Sequence, residues 1–140
     1  MNGPGTGRKC VVTVSSGIMR DDDQAESFVS EHGGLYSYSP DKTVVSYTEY
    51  QDGAEIPNVV TVSGGTVNVG RGDALRLEIT PGRKREGLYR LPFGELEMEY
   101  TGNSVEYELD AGGGIIEFAY HMGIGGAASE NIVRVTVEVE

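Results

Sequence analysis

Apolar residues along this chain recur mostly at every second position, the period of a strand with one covered face. Cys10, Val12 and Val14 share the first such face, and the three like charges of Asp21, Asp22 and Asp23 end it. Ser27–Glu31 and Leu35–Ser39 read as two strands joined by a turn at Gly33 and Gly34, and Pro40, Asp41 and Lys42 turn the chain into Thr43–Tyr50. After a loop at Gln51–Ala54, Asn58–Ser63 and Thr66–Val69 form a hairpin about Gly64 and Gly65. Ala74–Thr80 alternates Leu75, Leu77 and Ile79 with Arg76 and Glu78, and Gly87–Leu91 runs into Pro92, which fits a bulge or a strand boundary because it lacks an N–H.

The last third alternates most clearly. Leu96, Met98 and Tyr100 form one apolar face, and Val105, Tyr107 and Leu109 a second. Ile116, Phe118, Tyr120 and Met122 form a third, and Val133, Val135, Val137 and Val139 a fourth. No window carries the 3.6-residue stripe of an amphipathic helix. The expected fold is therefore all-β, a single closed antiparallel barrel of about 8–10 short strands, since a sheet of that many twisted strands closes or folds over. A two-sheet sandwich is the alternative. The four valines of Ile132–Glu140 need a covered face, which places that strand inside the sheet rather than at an edge. Residues 1–8 read as a flexible arm and residues 9–140 as one barrel domain, without internal repeat.

Composition narrows the functions open to such a barrel. The 140 residues carry 11 Lys+Arg against 22 Asp+Glu, a formal charge of −11, and 21 of them are glycine. So acidic a chain suits neither nucleic acid nor an anionic membrane as partner. No segment has the apolar length of a membrane span or a signal peptide. One cysteine, Cys10, excludes an intrachain disulfide and fits the reducing cytoplasm.

From about Val60 to Glu140 the chain resembles the YwiB-like proteins of Gram-positive bacteria. The resemblance rests on Tyr89-x-x-Pro92-Phe93-Gly94, on the acidic strand Glu95–Tyr100, on Val105–Asp110 leading into glycines, and on Ser129-Glu130-Asn131 before the valine strand. Gly34-Leu35-Tyr36 and Tyr47-Thr48-Glu49 fit more weakly, and Leu91 stands where that family often has threonine. The resemblance implies a calycin-type β-barrel related in shape to lipocalins and fatty-acid-binding proteins. It implies no activity, because that family has no established function and no catalytic residues to carry over.

Candidate chemistry is sparse. His32, His121 and Cys10 are too scattered for a short-spaced ligand set, and zinc usually takes at least three converging donors. His121 falls on the outward phase of its strand, with Glu117 and Ala119. No G-x-S-x-G marks a nucleophile. Gly123–Ala128 matches the letters of a dinucleotide loop but leads into a valine strand instead of the helix that chemistry requires, so it reads as a hairpin loop. Arg71-Gly72-Asp73 reads as a turn. No catalytic residue, cofactor or metal is expected.

Two constellations remain. With hairpin turns at Gly102-Asn103 and Gly112-Gly113, Glu97, Glu108 and Glu117 would form a row across three strands of the outer surface. Such a row is a solvated face, a docking patch for a basic partner or a weak Ca2+ site. The same registers gather Tyr100, Tyr107, Phe118 and Tyr120 on the inner face beside Met98, as core or as the wall of a ligand site. The large side chains should fill most of the interior and leave a shallow pocket at one mouth near Tyr100 and Tyr120. The expectation is a non-enzymatic module that takes a small apolar or amphipathic ligand at the barrel mouth. The rival is a protein-interaction module using its acidic outer face or a sheet edge.

Overall fold

The structure is a computed structural model and describes residues 7–21 and 23–140. Those residues form strands and turns, with no helix among them. The strands are β1 (Arg8–Arg20), β2 (Ala25–Ser37), β3 (Thr43–Gln51), β4 (Ala54–Ser63), β5 (Thr66–Arg71), β6 (Leu75–Ile79), β7 (Lys84–Leu91), β8 (Gly94–Asp110), β9 (Gly113–Ile124) and β10 (Ala127–Val139). They make one antiparallel sheet in the order β6-β5-β4-β3-β2-β1-β10-β9-β8-β7.

Each strand lies beside its sequence neighbours except at two places. β1 pairs with β10 from Cys10↔Val139 to Arg20↔Ser129, so the valine strand lies inside the sheet, between β1 and β9. β6 and β7 are the two sheet edges, and they meet without a ladder. The Arg90 N–H donates to the Ala74 carbonyl at 2.9 Å, and Arg85 pairs with Glu78 at 2.6 Å, so the barrel is nearly closed.

Several sequence expectations are corrected. Gly102-Asn103 is not a turn. β8 runs through it as one strand of 17 residues with a bulge between Gly102 and Ser104. A bulge inserts one residue and flips the inward phase, and this is why the segment reads as two hairpinned strands. Gly33 and Gly34 likewise lie inside β2, which is continuous over 13 residues. The β8–β9 turn falls at Ala111-Gly112, which pairs Leu109 with Gly114 and Tyr107 with Ile116. Of the expected arm, residues 1–6 lie outside the described residues, and Arg8 already belongs to β1, opposite Tyr36. The Gly64-Gly65 hairpin forms as expected, with both residues at positive φ (58° and 81°), as a two-residue turn requires.

Packing is uneven along the barrel axis. In this meander the β2–β3, β4–β5, β6–β7 and β8–β9 connections share one end, here the lower one, and the other connections share the upper end. Fully buried Cys10, Val12, Tyr36, Val45, Ile79 and Ile116 all belong to the lower half. Two long-range bonds fasten that end: the Tyr36 hydroxyl donates to the Asp110 carbonyl at 2.8 Å, and the Gly65 N–H donates to the Tyr107 hydroxyl at 3.3 Å. Toward the upper end the inward residues Val14, Tyr47, Val69, Tyr89, Met122 and Val133 are only half-buried.

Candidate functional site

The aromatic residues singled out in the sequence divide between core and rim. Tyr100, Phe118 and Tyr120 are 5%, 3% and 8% exposed, and the rings of Phe118 and Tyr120 stack 6.2 Å apart. They fill the barrel's middle. Burial holds the Tyr120 hydroxyl neutral by pushing its pKa up to about 12. Tyr107 is not with them. The bulge and the shifted β8–β9 turn carry it to the lower rim, where it is 41% exposed and lines a hollow of about 600 Å3 with Tyr38 and Pro40.

The expected glutamate row is not formed. Glu97 faces Leu88, Glu108 faces Ile115, and Glu117 faces Glu106. The carboxylates that do oppose each other are Glu86 with Glu99 and Glu106 with Glu117. Each pair is relieved by a cation: Lys84 lies 3.2 Å from Glu99, and Arg134 lies 2.7 Å from Glu117. Glu97 instead borders an outer groove of about 740 Å3 with Glu86, Glu99 and His121. His121 is exposed, as its phase requires, and its Nδ1 sits 2.7 Å from Glu130. Gly125-Gly126 turns the β9–β10 hairpin. Among the described residues no three His, Cys, Asp or Glu side chains could hold a metal ion.

A polar cluster inside the upper end was missed. β5 sends Val67 and Val69 inward, and the same phase delivers Arg71; β3 sends in Val45 and Tyr47, then Glu49. The Arg71 Nε–H and Nη2–H donate to the two Glu49 carboxylate oxygens, both at 3.2 Å, and Nη2 also donates to the Gln51 side-chain oxygen at 3.2 Å. This is the forked geometry that guanidinium and carboxylate favour. Burial pulls the Glu49 pKa up, but the hydrogen bond and charge of Arg71, with help from Asn58 and His32, hold it below its ordinary value. The same pairing raises the pKa of Arg71.

Tyr47 and His32 border the pair. The two rings stack at 4.8 Å, and His32 Nε2 lies 2.8 Å from the Ser30 hydroxyl. Burial, reinforced by the charge of Glu49, pushes the Tyr47 pKa up to about 12, so its hydroxyl is neutral. Asn58, 4% exposed, closes the floor and donates to the Ile56 carbonyl. Three Arg71 N–H groups are thus committed to protein acceptors, while its Nη1 has no such acceptor among the described residues. The sequence signal for this site was available: charged residues standing in phase with an apolar stripe.

The wall beside this cluster is incomplete. β2 and β3 pair only from Gly34↔Tyr47 to Ser37↔Val44. Above that point the two strands have no common ladder. Phe28, on the inward phase of β2, is 54% exposed there.

Comparison with known proteins agrees with this fold. The chain is 30% identical over 125 residues to the uncharacterized beta-barrel protein YwiB of Bacillus subtilis (strain 168), covering 88% of this chain and 87% of that protein. The crystal structure of ywiB protein from Bacillus subtilis superposes with a TM-score of 0.84 at 29% identity, covering 95% of this chain and 92% of that one. Residues 12–134 match the family model described as a domain of unknown function, DUF1934. This nearly closed ten-stranded barrel therefore belongs to the DUF1934 family.

Proposed function

We propose that the chain is a non-enzymatic, calycin-like binding module that takes a small amphipathic molecule at the upper end of the barrel. The observation that carries this reading is the uncommitted Nη1 of Arg71 inside a barrel whose upper end is less tightly packed than its lower one. A guanidinium with free donors, beside a neutral Tyr47 hydroxyl and the His32 ring, suits an anionic or carbonyl head group. Phe28 and Met122 offer apolar surface for the rest of the molecule. The buried core below suits a short or flat body better than a long chain. Cys10 is buried and free, and burial raises its thiol pKa, in keeping with a reduced, unreactive cysteine in the cytoplasm.

Native mass spectrometry of freshly purified protein tests for a retained molecule, and titration with the anionic dye anilinonaphthalene sulfonate tests the site. Arg71→Leu and Phe28→Ala should each weaken dye binding, the former about tenfold. Phe118→Ala should cost about 3–5 kcal/mol of stability and leave dye affinity unchanged. Equal dye affinity in wild type, Arg71→Leu and Phe28→Ala would overturn the reading.

A further inference from the structure

β2 has 13 residues, of which four, Gly34–Ser37, ladder with β3. The other nine, Ala25–Gly33, pair with β1 on one side and, among the described residues, with no strand on the other. The facing edge of β3, Thr48–Gln51, is bonded to β4 and likewise open toward β2. Two strand edges thus face each other across a gap whose vertex is the Gly34–Tyr47 pair, with an outer hollow of about 570 Å3 at that vertex bordered by Gly33, Tyr47 and Thr48.

Open strand edges are ready templates for another extended backbone. Natural edges are commonly blunted by proline, by bulges or by lysine. Ala25–Gly33 contains none of these, and its middle residues Phe28 and Val29 are 54% and 73% exposed. What it does carry is negative charge. Glu26 and Glu31 lie on the edge strand, Asp21 and Asp23 flank its start, and Asp52 and Glu55 stand on the β3–β4 side of the gap. Arg20 answers Glu26 at 3.3 Å, and no ion pair involves Glu31 among the described residues.

We propose that this β2 edge is a docking site for one extended, basic segment of a partner protein, added to the sheet as an extra antiparallel or parallel strand. The main-chain donors and acceptors select an extended backbone. Glu31, on the outer face with Val29, selects basic side chains, alternating with apolar ones that cover Phe28 on the inner face. The same charges disfavour a second copy of this chain, because each copy carries −11. The proposal does not depend on the small-molecule reading, since it rests on backbone groups of β2 and not on Arg71.

The test uses a capped nine-residue peptide of alternating valine and lysine added to isotope-labelled protein, with amide protection followed by NMR. Binding should protect the amides of Ala25–Gly33 that point away from β1. The same peptide N-methylated at alternate residues, unable to donate its backbone hydrogens, should not bind. An alternating valine–glutamate peptide should not bind either, and Glu31→Lys should weaken the lysine peptide about three- to tenfold. Equal binding of the N-methylated or acidic peptide, or protection elsewhere, would overturn the proposal. So would a free protein that sediments as a dimer with these amides already protected, which would assign the edge to a second copy.

Discussion

The Tyr100 hydroxyl accepts a hydrogen bond from the Glu78 main-chain N–H at 2.9 Å, across the seam where β6 and β7 meet without a ladder. Tyr100 belongs to β8 and Glu78 to β6, so the bond passes behind the seam between β6 and β7. It satisfies a main-chain donor that β7 does not reach, and it ties the ring of a core residue to the edge strand. Arg85 adds an ion pair to the side chain of the same Glu78. At the seam these side chains add to the main-chain bond of Arg90 to Ala74, in place of a ladder.

Tyr100→Phe should therefore cost about 1–2 kcal/mol, because it leaves a part-buried N–H unsatisfied while preserving ring packing. Urea unfolding measures the loss, and hydrogen exchange should show faster exchange at Glu78 with little change in β1 or β10. Uniform acceleration across the sheet would mean that Tyr100 stabilises the whole core and not the seam.

The Glu49–Arg71 pair predicts a limb in the acid stability profile. Glu49 is held below its ordinary value of 4.5 in the folded chain. A depressed carboxylate contributes stability that is fully present above the unfolded pKa and is lost as pH falls through the folded one. Wild type should therefore lose urea resistance as the pH drops below about 4.5, and Glu49→Gln should lose less over the same range. At neutral pH that variant should be less stable than wild type by about 1–3 kcal/mol, because Arg71 loses a charged partner inside the barrel. Parallel pH profiles for the two proteins would show that Arg71 and Glu49 are screened by water.

How much of this was legible in the chain depends on what each residue signals. Period-two stripes such as Val133–Val139 reveal a strand, its inner face and its need for neighbours on both sides, so the fold class and the central place of β10 follow from them. Register is another matter. A phase change at Gly102–Ser104 is produced equally by a turn and by a bulge, and only the tertiary neighbour distinguishes them: the bonds of Gly102 to Gly82 and Arg83 hold the chain straight there. Gly33-Gly34 misleads for a similar reason, since both lie inside β2 and Gly34 serves a close approach to β3 and not a turn. The upper polar cluster is invisible to any search for local motifs, because Glu49 and Arg71 meet only when β3, β4 and β5 stand side by side.

The corrected register changes which carboxylate matters. Glu106 stands directly opposite Glu117, whereas Glu108 faces Ile115 and is exposed. Glu106→Gln should stabilise the protein by a few tenths of a kcal/mol, since opposed like charges are unfavourable and Arg134 would be left paired with Glu117. Glu108→Gln should change stability by less than about 0.3 kcal/mol. Thermal unfolding of both variants at low and moderate salt checks this, with the Glu106→Gln gain shrinking as salt screens the repulsion. A larger gain from Glu108→Gln would restore a glutamate row that the strand pairing does not contain.

Gly34 marks the point where β2 and β3 part, and it offers the sharpest test of the upper opening. A Cβ built at Gly34 would lie 2.3 Å from the Ser46 carbonyl oxygen and 3.0 Å from a Val12 methyl, whereas at Gly33 it would meet nothing within 4 Å. The neighbour at Gly34 is backbone in a paired strand, so it cannot rotate away as a side chain end would. Gly34→Ala must push β3 from β2 at their shortest ladder, which holds only four residue pairs. Overpacking of this kind costs about 1–3 kcal/mol, while Gly33→Ala should be within about 0.5 kcal/mol of wild type. The loss should be local in character. Hydrogen exchange should quicken at Tyr36, Val45 and Tyr47, and the stack of His32 on Tyr47 should loosen, with the β9–β10 ladder unaffected. If Gly34→Ala is as stable as Gly33→Ala, β3 moves freely at that point, and the gap beside the Arg71 cluster is a flexible lip rather than a fixed opening.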